Sequence, residues 1–172
     1  NLIYSYEKAD TFLVKMVSTS IYQCRDTAEQ SLVVFASPIA QFSLDSSSNC
    51  LRENYFKLKN ESSITNGSLS FFWDQHGEDT STSIQPLHSF NSVGKKTIQL
   101  IARANNGCRD TTQTIVEVHP HPRARIKVND TAQCLNDQEF VFEDQSELIG
   151  ETLSRLWIWS DGGRDTALKI AR

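Results

Sequence analysis

The chain has 172 residues, of which 38% are apolar, and carries a formal net charge of −4 at pH 7. That length is enough for one large or two small domains. The mild acidity argues against nucleic acid as a partner, because phosphate binding needs a basic surface. No run of 18 apolar residues is present, so the sequence predicts no membrane-spanning helix.

Residues 1–36 are predicted to form two strands joined by a turn. Residues 11–18 place Phe12, Val14, Met16 and Ser18 on one face of a strand, and residues 28–36 contain the apolar, β-branched run Leu32-Val33-Val34-Phe35. The turn between them ends in Cys24, and Pro38 then marks a boundary.

Residues 37–119 contain the longest set of predicted strands. Segments 46–49 and 75–83 are polar and are predicted to be a loop and a turn region. Asn105-Asn106-Gly107 is a strong hairpin signal. Ile98, Leu100 and Ala102 are expected to face inward because they share one face of an alternating run. The predicted strands cover residues 39–44, 55–59, 69–73, 96–104 and 111–118.

Residues 120–172 begin the same order of segments again. Strand-like runs cover 124–128, 140–142 and 153–159, and Asp161-Gly162-Gly163 is a turn. The segment has no counterpart of the last two strands of residues 37–119. No part of the chain shows a sustained helical period. Short strands with regularly spaced turns predict antiparallel β-sandwiches.

The sequence repeats itself with an offset of 84 residues. Cys24-Arg25-Asp26-Thr27 recurs as Cys108-Arg109-Asp110-Thr111, and Trp73 matches Trp159 if two residues are inserted. A repeat predicts recurring structural units. We assign residues 1–36 to the C-terminal part of one unit, 37–119 to a complete unit and 120–172 to the N-terminal part of a further unit. The same offset relates Tyr6 to Phe90, Val14 to Ile98, Met16 to Leu100, Pro38 to Pro122, Ala40 to Ala124, Cys50 to Cys134 and Phe56 to Phe140.

A set of motifs runs through the complete unit. It comprises Pro38-x-Ala40-x-Phe42, Cys50, Phe56-x-Leu58-x-Asn60-x-Ser62, Phe72-Trp73-Asp74, Pro86-Leu87-His88-Ser89-Phe90, Gly94, Ile98-x-Leu100 and Gly107-Cys108-Arg109-Asp110-Thr111. This set resembles the PKD (polycystic kidney disease) domain in its bacterial, cysteine-bearing form. The resemblance implies tandem immunoglobulin-like, PKD-type antiparallel β-sandwiches. The turn after the family's tryptophan is altered here in both copies, so a function tied to that turn is not carried over.

The resemblance implies a non-catalytic, extracellular structural repeat. Such domains occur in tandem in surface adhesins and secreted enzymes, and especially in long surface proteins of gliding bacteria exported by type IX secretion. The expected role is a stalk, adhesin or filament segment at the cell surface, whose partners are neighbouring copies of the repeat, joined covalently or in trans. The chain is interpreted as one two-domain period of a longer array, and the alternative is an isolated fragment.

A second functional hypothesis is an accessory carbohydrate-binding module of a secreted hydrolase, which would bind surface glycans. Phe71, Trp73 and Trp159 could form a stacking platform for a sugar. The resemblance instead implies that the tryptophan is a core residue. Trp157 and Trp159 alternate, so both are expected to point to one face.

The sequence contains no recognisable catalytic constellation, and we predict that the protein is not an enzyme. Gly-x-Ser-x-Gly and metal-ligand spacings are absent. His119-Pro120-His121-Pro122 is interpreted as a stiff linker, with a metal site as the less favoured alternative. No cofactor is predicted apart from Ca²⁺ as a candidate, against the alternative of a solvated acidic turn. The candidate Ca²⁺ ligands are Asp74, Glu78 and Asp79, with Asp161 and Asp165.

Several sequence motifs are candidates for glycosylation. The N-glycosylation sequons begin at Asn60, Asn66 and Asn129. Four Asp-Thr pairs resemble an O-glycosylation site of some bacteria that secrete surface proteins. The alternative is that Asp-Thr is a turn pair of the repeat. The O-glycosylation candidates are Thr27, Thr111, Thr131 and Thr166.

The four cysteines are predicted to form disulfides in an oxidising compartment, since they fall at repeat-equivalent positions and none forms a CxxC pair. In an immunoglobulin-like domain, Cys50 and Cys108 would lie at opposite ends of strands about 20 Å long, whereas bonded cysteines need Cα atoms within about 7 Å. The resemblance therefore favours bonds between successive domains, from Cys50 to Cys24 of the next copy and from Cys134 to its Cys108. A Cys50–Cys108 bond is the alternative.

Overall fold

The structure is a computed structural model that describes residues 2–75, 77, 79–136 and 138–165. Its described residues form strands, turns and irregular segments without a helix, so they include no helix capable of crossing a membrane. The strands are β1 (Asp10–Thr19), β2 (Arg25–Val34), β3 (Phe42–Leu44), β4 (Ser48–Cys50), β5 (Phe56–Asn60), β6 (Leu69–Asp74), β7 (Thr80–Ser81), β8 (Leu87–His88), β9 (Gly94–Ala104), β10 (Arg109–His119), β11 (Ile126–Val128), β12 (Phe142–Asp144), β13 (Trp157–Ile158) and β14 (Arg164–Asp165).

The chain divides into two compact units. The first comprises Asn1–Ser47, Tyr55–His88 and Lys95–Val116, and the second comprises Ser48–Asn54, Ser89–Gly94 and Glu117–Arg172. The domain boundaries expected from the repeat, after residues 36 and 119, stay predictions.

In the first unit, two sheets bury an apolar core between them. Strands β10, β9, β6 and β7 form one sheet in that order, and β3, β5 and β8 form the other. The rings of Phe42 on β3 and Trp73 on β6 lie 5.1 Å apart and join the two layers. This packing confirms the predicted all-β sandwich, and Ile98, Leu100 and Ala102 face inward as expected. The buried apolar residues of this unit are Ala40, Phe56, Leu58, Trp73, Ile98, Leu100, Ala102, Ala104 and Val116.

The first unit also contains a two-stranded sheet formed by β1 and β2. The strands pair antiparallel from Asp10 opposite Val34 to Thr19 opposite Arg25. Tyr6 stacks on Phe12 of β1 with ring centroids 3.9 Å apart. Both strands were predicted from alternation and β-branched content, and the structure confirms the hairpin. Most of its apolar side chains are exposed.

In the second unit, residues 123–165 form two small sheets. β11 pairs antiparallel with β12, and β13 pairs antiparallel with β14. β13 covers only Trp157–Ile158, so the strand predicted over 153–159 is much shorter than expected. Residues 153–156 have no strand partner among the described residues, and extended backbone without such a partner is not a strand.

One strand of the second unit was predicted to be a loop. Residues 48–50 form β4, which pairs parallel with the end of β10 and places Cys50 opposite His119. The strand was missed because Ser48, Asn49 and Cys50 are too few to show an alternating pattern. Their backbone hydrogen bonds depend on a strand that follows much later in the chain.

The repeat is visible in the strand registers. β11 and β12 place Ile126 opposite Asp144, and β3 and β5 place Phe42 opposite Asn60 at the same offset of 84 residues. The isolated bridges Arg123–Glu147 and Ile39–Ser63 obey the same offset. The two segments therefore share local structure as well as sequence.

The same comparison corrects the tryptophan match. Trp73 lies opposite Ser81, whereas Trp157 lies opposite Asp165, again with an offset of 84. The loops between the paired strands have equal length, so no insertion separates the copies. Trp157 is therefore the counterpart of Trp73, and the match to Trp159 was wrong.

Candidate functional site

The Asp of the repeated Cys-Arg-Asp-Thr motif is a backbone clamp. One carboxylate oxygen of Asp110 accepts a hydrogen bond from the Ala40 N–H at 2.8 Å, and the other accepts one from the Thr111 N–H at 2.8 Å. These two donors, Ala40 first, hold the pKa of Asp110 below its usual value because they stabilise the charged form. The clamp fixes the backbone just before β3 to the start of β10.

Other Asp-Thr pairs form only the hydrogen bond between the Asp carboxylate and the N–H of the next residue. Asp10, Asp26 and Asp79 each accept a hydrogen bond from the N–H of the next residue, at 2.7–2.9 Å. This supports the interpretation of Asp-Thr as a recurring structural pair. Thr27, Thr111 and Thr131 are exposed. Their O-glycosylation stays a prediction, and Thr166 lies outside the described residues.

A polar cluster is buried beside the core tryptophan. Trp73 is fully buried, and its Nε1–H donates to the Ser83 carbonyl at 2.9 Å. Gln75 Nε2 lies within hydrogen-bond distance of His88 Nδ1, and both side chains are buried. Burial lowers the pKa of His88, while Asp79 acts in the opposite direction. Trp73 therefore cannot form a sugar platform, and Phe71, on the same face of β6, is half-buried.

The candidate site of the second unit is an aromatic surface. Trp157 and Trp159 stack with ring centroids 5.9 Å apart and an interplanar angle of 10°, so both point to one face as predicted. Phe142 contacts both rings, at 5.9 and 4.9 Å. Next to them is an open groove of about 280 Å³, lined by Ala124, Ile126, Trp157 and neighbouring residues. Half-exposed aromatic rings beside an apolar groove can bind an apolar protein face or a sugar ring.

The four cysteines are free thiols in the structure, with Cys108 half-buried and the others exposed. Cys108 directly precedes β10, and Cys50 pairs with the last residue of that strand. A strand of this length spans about 33 Å, far more than the separation of about 7 Å that a disulfide allows. This geometry disfavours the Cys50–Cys108 alternative. Pairing between copies stays a prediction.

The acidic candidates do not converge on a site within the part of the chain that the structure describes. No group of three or more His, Cys, Asp or Glu residues there could hold a metal ion. Asp74 accepts a hydrogen bond from the Gly77 N–H at 3.4 Å, and Asp161 accepts one from the Gly163 N–H at 3.1 Å. Glu78 and the side chain of Asp165 lie outside the described part.

The three sequons differ in accessibility. Asn66 is exposed. The Asn60 side-chain nitrogen is buried, and its N-glycosylation stays a prediction. Asn129 donates to the Glu139 carbonyl at 3.0 Å and accepts from the Val141 N–H at 2.9 Å, so its amide is already used in the structure.

One structural residue was missed by sequence reasoning. Asn54 is buried, and its amide donates to the carbonyls of Leu51 and Phe90 at 2.7 and 2.9 Å. Its oxygen accepts from the Phe90 N–H at 2.8 Å. The sequence repeat did not point to Asn54, because the residue 84 positions later is Gln138 instead of asparagine.

No protein-family model matches the chain, and no curated protein matches it. Among solved structures, it is similar to the PKD1 domain of Vibrio anguillarum Epp, with 26% identity, coverage of 48% of this chain and 93% of that one, and a TM-score of 0.42. The PKD1 domain of the Vibrio cholerae metalloprotease PrtV gives 29% identity, 48% and 96% coverage, and a TM-score of 0.42. A structure from a study of carbohydrate-binding modules of the β-sandwich superfamily gives 15% identity, 62% and 52% coverage, and a TM-score of 0.44.

Proposed function

We propose that the chain is a non-catalytic structural repeat of an extracellular bacterial surface protein, built from PKD-type β-sandwich units. Its role would be to extend a stalk, adhesin or filament and to carry tension. The observation that carries this proposal is the recurrence of strand pairing at an offset of 84 residues, as in Phe42–Asn60 and Ile126–Asp144. Repeated units that contact their neighbours form elongated arrays whose stability adds up along the chain.

The contacts of three notable residues fit a structural role. Asp110 is used as a backbone clamp, His88 is buried beside Gln75, and Trp73 belongs to the core. Disulfides from Cys50 and Cys134 to neighbouring copies would staple such an array and increase its resistance to force. Export by type IX secretion and a role in gliding motility are proposed on the sequence resemblance alone.

The experiment that tests the array is the mass of the native material under denaturing, non-reducing conditions. A mass far above 19.4 kDa would support a covalent array, and loss of that mass with reductant would assign the links to disulfides. A mass near 19.4 kDa would contradict the array.

The second candidate function is glycan binding, favoured by the stacked pair Trp157 and Trp159. A glycan array would test it with a variant in which both are changed to alanine. Phe72→Ala is a suitable control, because Phe72 is an exposed aromatic residue on β6. Binding that is lost only in the double variant would support the module, and absence of glycan binding by the unaltered chain would contradict it.

A further inference from the structure

We propose that the edge of β6 in the first unit binds an extended, acidic peptide segment of another protein as an added strand. The site consists of an open stretch of sheet edge, a groove beside it and an arginine that selects an acidic residue. Binding there goes beyond the proposed structural role and does not depend on whether copies of the chain form an array.

One side of β6 is paired along its whole length, whereas the other side is paired only at its end. β9 pairs with β6 from Leu69 to Asp74. On the opposite side, β7 pairs with only Trp73 and Asp74. Residues 69–72 therefore have no strand on that side within the described part of the chain.

β7 ends at Ser81, where the chain begins to cross to the other sheet. Trp73 Nε1–H donates to the Ser83 carbonyl at 2.9 Å, and Leu87 already pairs with Lys57 on β5. The buried indole thereby holds this segment away from the rest of the β6 edge. The open edge is thus a consequence of how the core of the first unit is packed.

The backbone groups on the open edge are those of Leu69 and Phe71. Gln75 N–H donates to the Asp79 carbonyl at 3.1 Å on the β7 side. Backbone groups of alternate residues along a strand face the same neighbour, so those of Phe71 and Leu69 also face this side. Beyond the end of β7, their N–H and C=O groups can pair with an added strand.

A groove of about 370 Å³ lies beside this edge, lined by Ser70, Phe71, Phe72, Ile101 and Arg103. Phe72 is 41% exposed. Arg103 lies opposite Ser70 on β9 and lines the groove across that small side chain. Arg103 is exposed and forms no ion pair with a described residue. An exposed ring beside an unpaired guanidinium favours a ligand with an apolar and an acidic side chain.

The alternation along β6 sets the spacing of those two side chains. In an antiparallel added strand, the residues opposite Phe72 and Ser70 lie on the outer face of the sheet, two positions apart. The first would cover the Phe72 ring, and the second would meet Arg103. The favoured ligand is therefore an extended segment in which an apolar residue is followed two positions later by Asp or Glu.

The same register disfavours a second copy of this chain as the occupant. Two β6 edges paired antiparallel about Phe71 would place Phe72 of one copy opposite Ser70 of the other. A pairing shifted by one hydrogen-bonded pair would place Ser70 opposite Ser70. Neither residue supplies an anion for Arg103.

The test is the binding of a short fluorescein-labelled peptide to the full-length chain, measured by fluorescence anisotropy. The peptide carries valine and, two positions later, glutamate, with threonine and serine elsewhere. Arg103→Ala, or glutamine in place of the peptide's glutamate, should each weaken binding about tenfold, the loss expected for a hydrogen bond between charged groups. Combining both changes should cost little more than either alone.

Arg109→Ala is the matched control for Arg103→Ala. Arg109 is also exposed, but it begins β10, one strand further from the open edge, and it does not line the groove. Its loss should leave peptide binding nearly unchanged. Equal effects of the two arginine variants, or no effect of either, would overturn the proposal.

N-methylated peptides test the strand pairing without altering the protein. The residue between valine and glutamate would lie opposite Phe71, so its N–H faces β6, whereas the N–H of the glutamate faces away. Methylation of the first amide should abolish binding, and methylation of the second should be tolerated. Equal effects of the two methylations, or no binding of the unmodified peptide, would overturn the proposal.

Other occupants of the edge give different results. Sedimentation of the chain in reductant should show no dimer that depends on this edge, and a dimer abolished by Phe72→Glu would assign the edge to a second copy and overturn the proposal. A uronate oligosaccharide that binds more tightly than the peptide, with the same dependence on Arg103, would assign the groove to glycans and also overturn it.

Discussion

At the scale of single residues, Asp110 links backbone segments that are 70 positions apart in sequence. We expect Asp110→Ala to lower the free energy of unfolding by about 2 kcal/mol, because two hydrogen bonds to a charged group are lost. Asp26→Ala in dilute protein should cost much less, since Asp26 has only the local bond. Urea unfolding at pH 7 measures the loss of unfolding free energy in each variant. Equal losses for Asp110→Ala and Asp26→Ala would contradict the role of Asp110 as a clamp.

The lowered pKa of Asp110 also sets the sign of a pH effect. The folded state binds its proton less readily than the unfolded state does, so the stabilisation is complete above the unfolded pKa. It is lost as the pH falls through the lowered folded pKa. The difference in stability between the unaltered protein and Asp110→Ala should therefore shrink in acid.

His88 should make the first unit less stable in mild acid. Burial lowers its pKa, so the unfolded state binds the proton first as the pH falls. Stability is then complete above the unfolded pKa of about 6.5 and decreases as the pH falls toward the lowered folded value. His88→Gln should flatten the change in urea midpoint between pH 7.5 and 5.5. His121→Gln is the control at an exposed position, and it should leave the change in urea midpoint with pH as it is in the unaltered protein.

At the scale of elements, β6 and β13 are repeat equivalents in different surroundings. Trp73 on β6 is fully buried, whereas Trp157 on β13 is half-exposed. We expect Trp73→Ala to cost about 3–5 kcal/mol of unfolding free energy, the range for a buried aromatic residue. Trp157→Ala in dilute protein should cost less than half as much. Chemical denaturation provides the comparison, and the reverse order would show that the two burial states are wrongly assigned.

At the scale of the whole molecule, the disulfide partner of each cysteine would show how copies of the chain are joined. Oxidation of the native protein should give peptides that join Cys50 to Cys24 and Cys134 to Cys108, with each bond between two copies. Mass spectrometry of non-reduced digests identifies these peptides, and mixing isotopically light and heavy chains shows whether a bond crosses molecules. A Cys50–Cys108 peptide would contradict the prediction, because β10 lies between those positions.

Much of the fold was predictable because the long strands carry their own signal. β1, β2, β9 and β10 have ten or eleven residues each with alternating or β-branched sequence, and all four were predicted. β4, β7 and β8 have two or three residues each and lie in segments predicted as loops or turns, or with no element assigned. β4 and β8 exist because distant strands, β10 and β5, supply their hydrogen bonds, and the two residues of β7 are too few to show a period.

The sequence by itself determined that the protein is all-β, that its unit recurs every 84 residues, and which side chains of each long strand share a face. These properties follow from local periodicity and from comparing the chain with itself. Only the tertiary structure decided that Trp157 is the counterpart of Trp73, that Asp110 holds Ala40, and that Asn54 joins Leu51 to Phe90. Strand register, clamp partners and burial all depend on elements far away in the chain, so they are fixed only when those elements pack together.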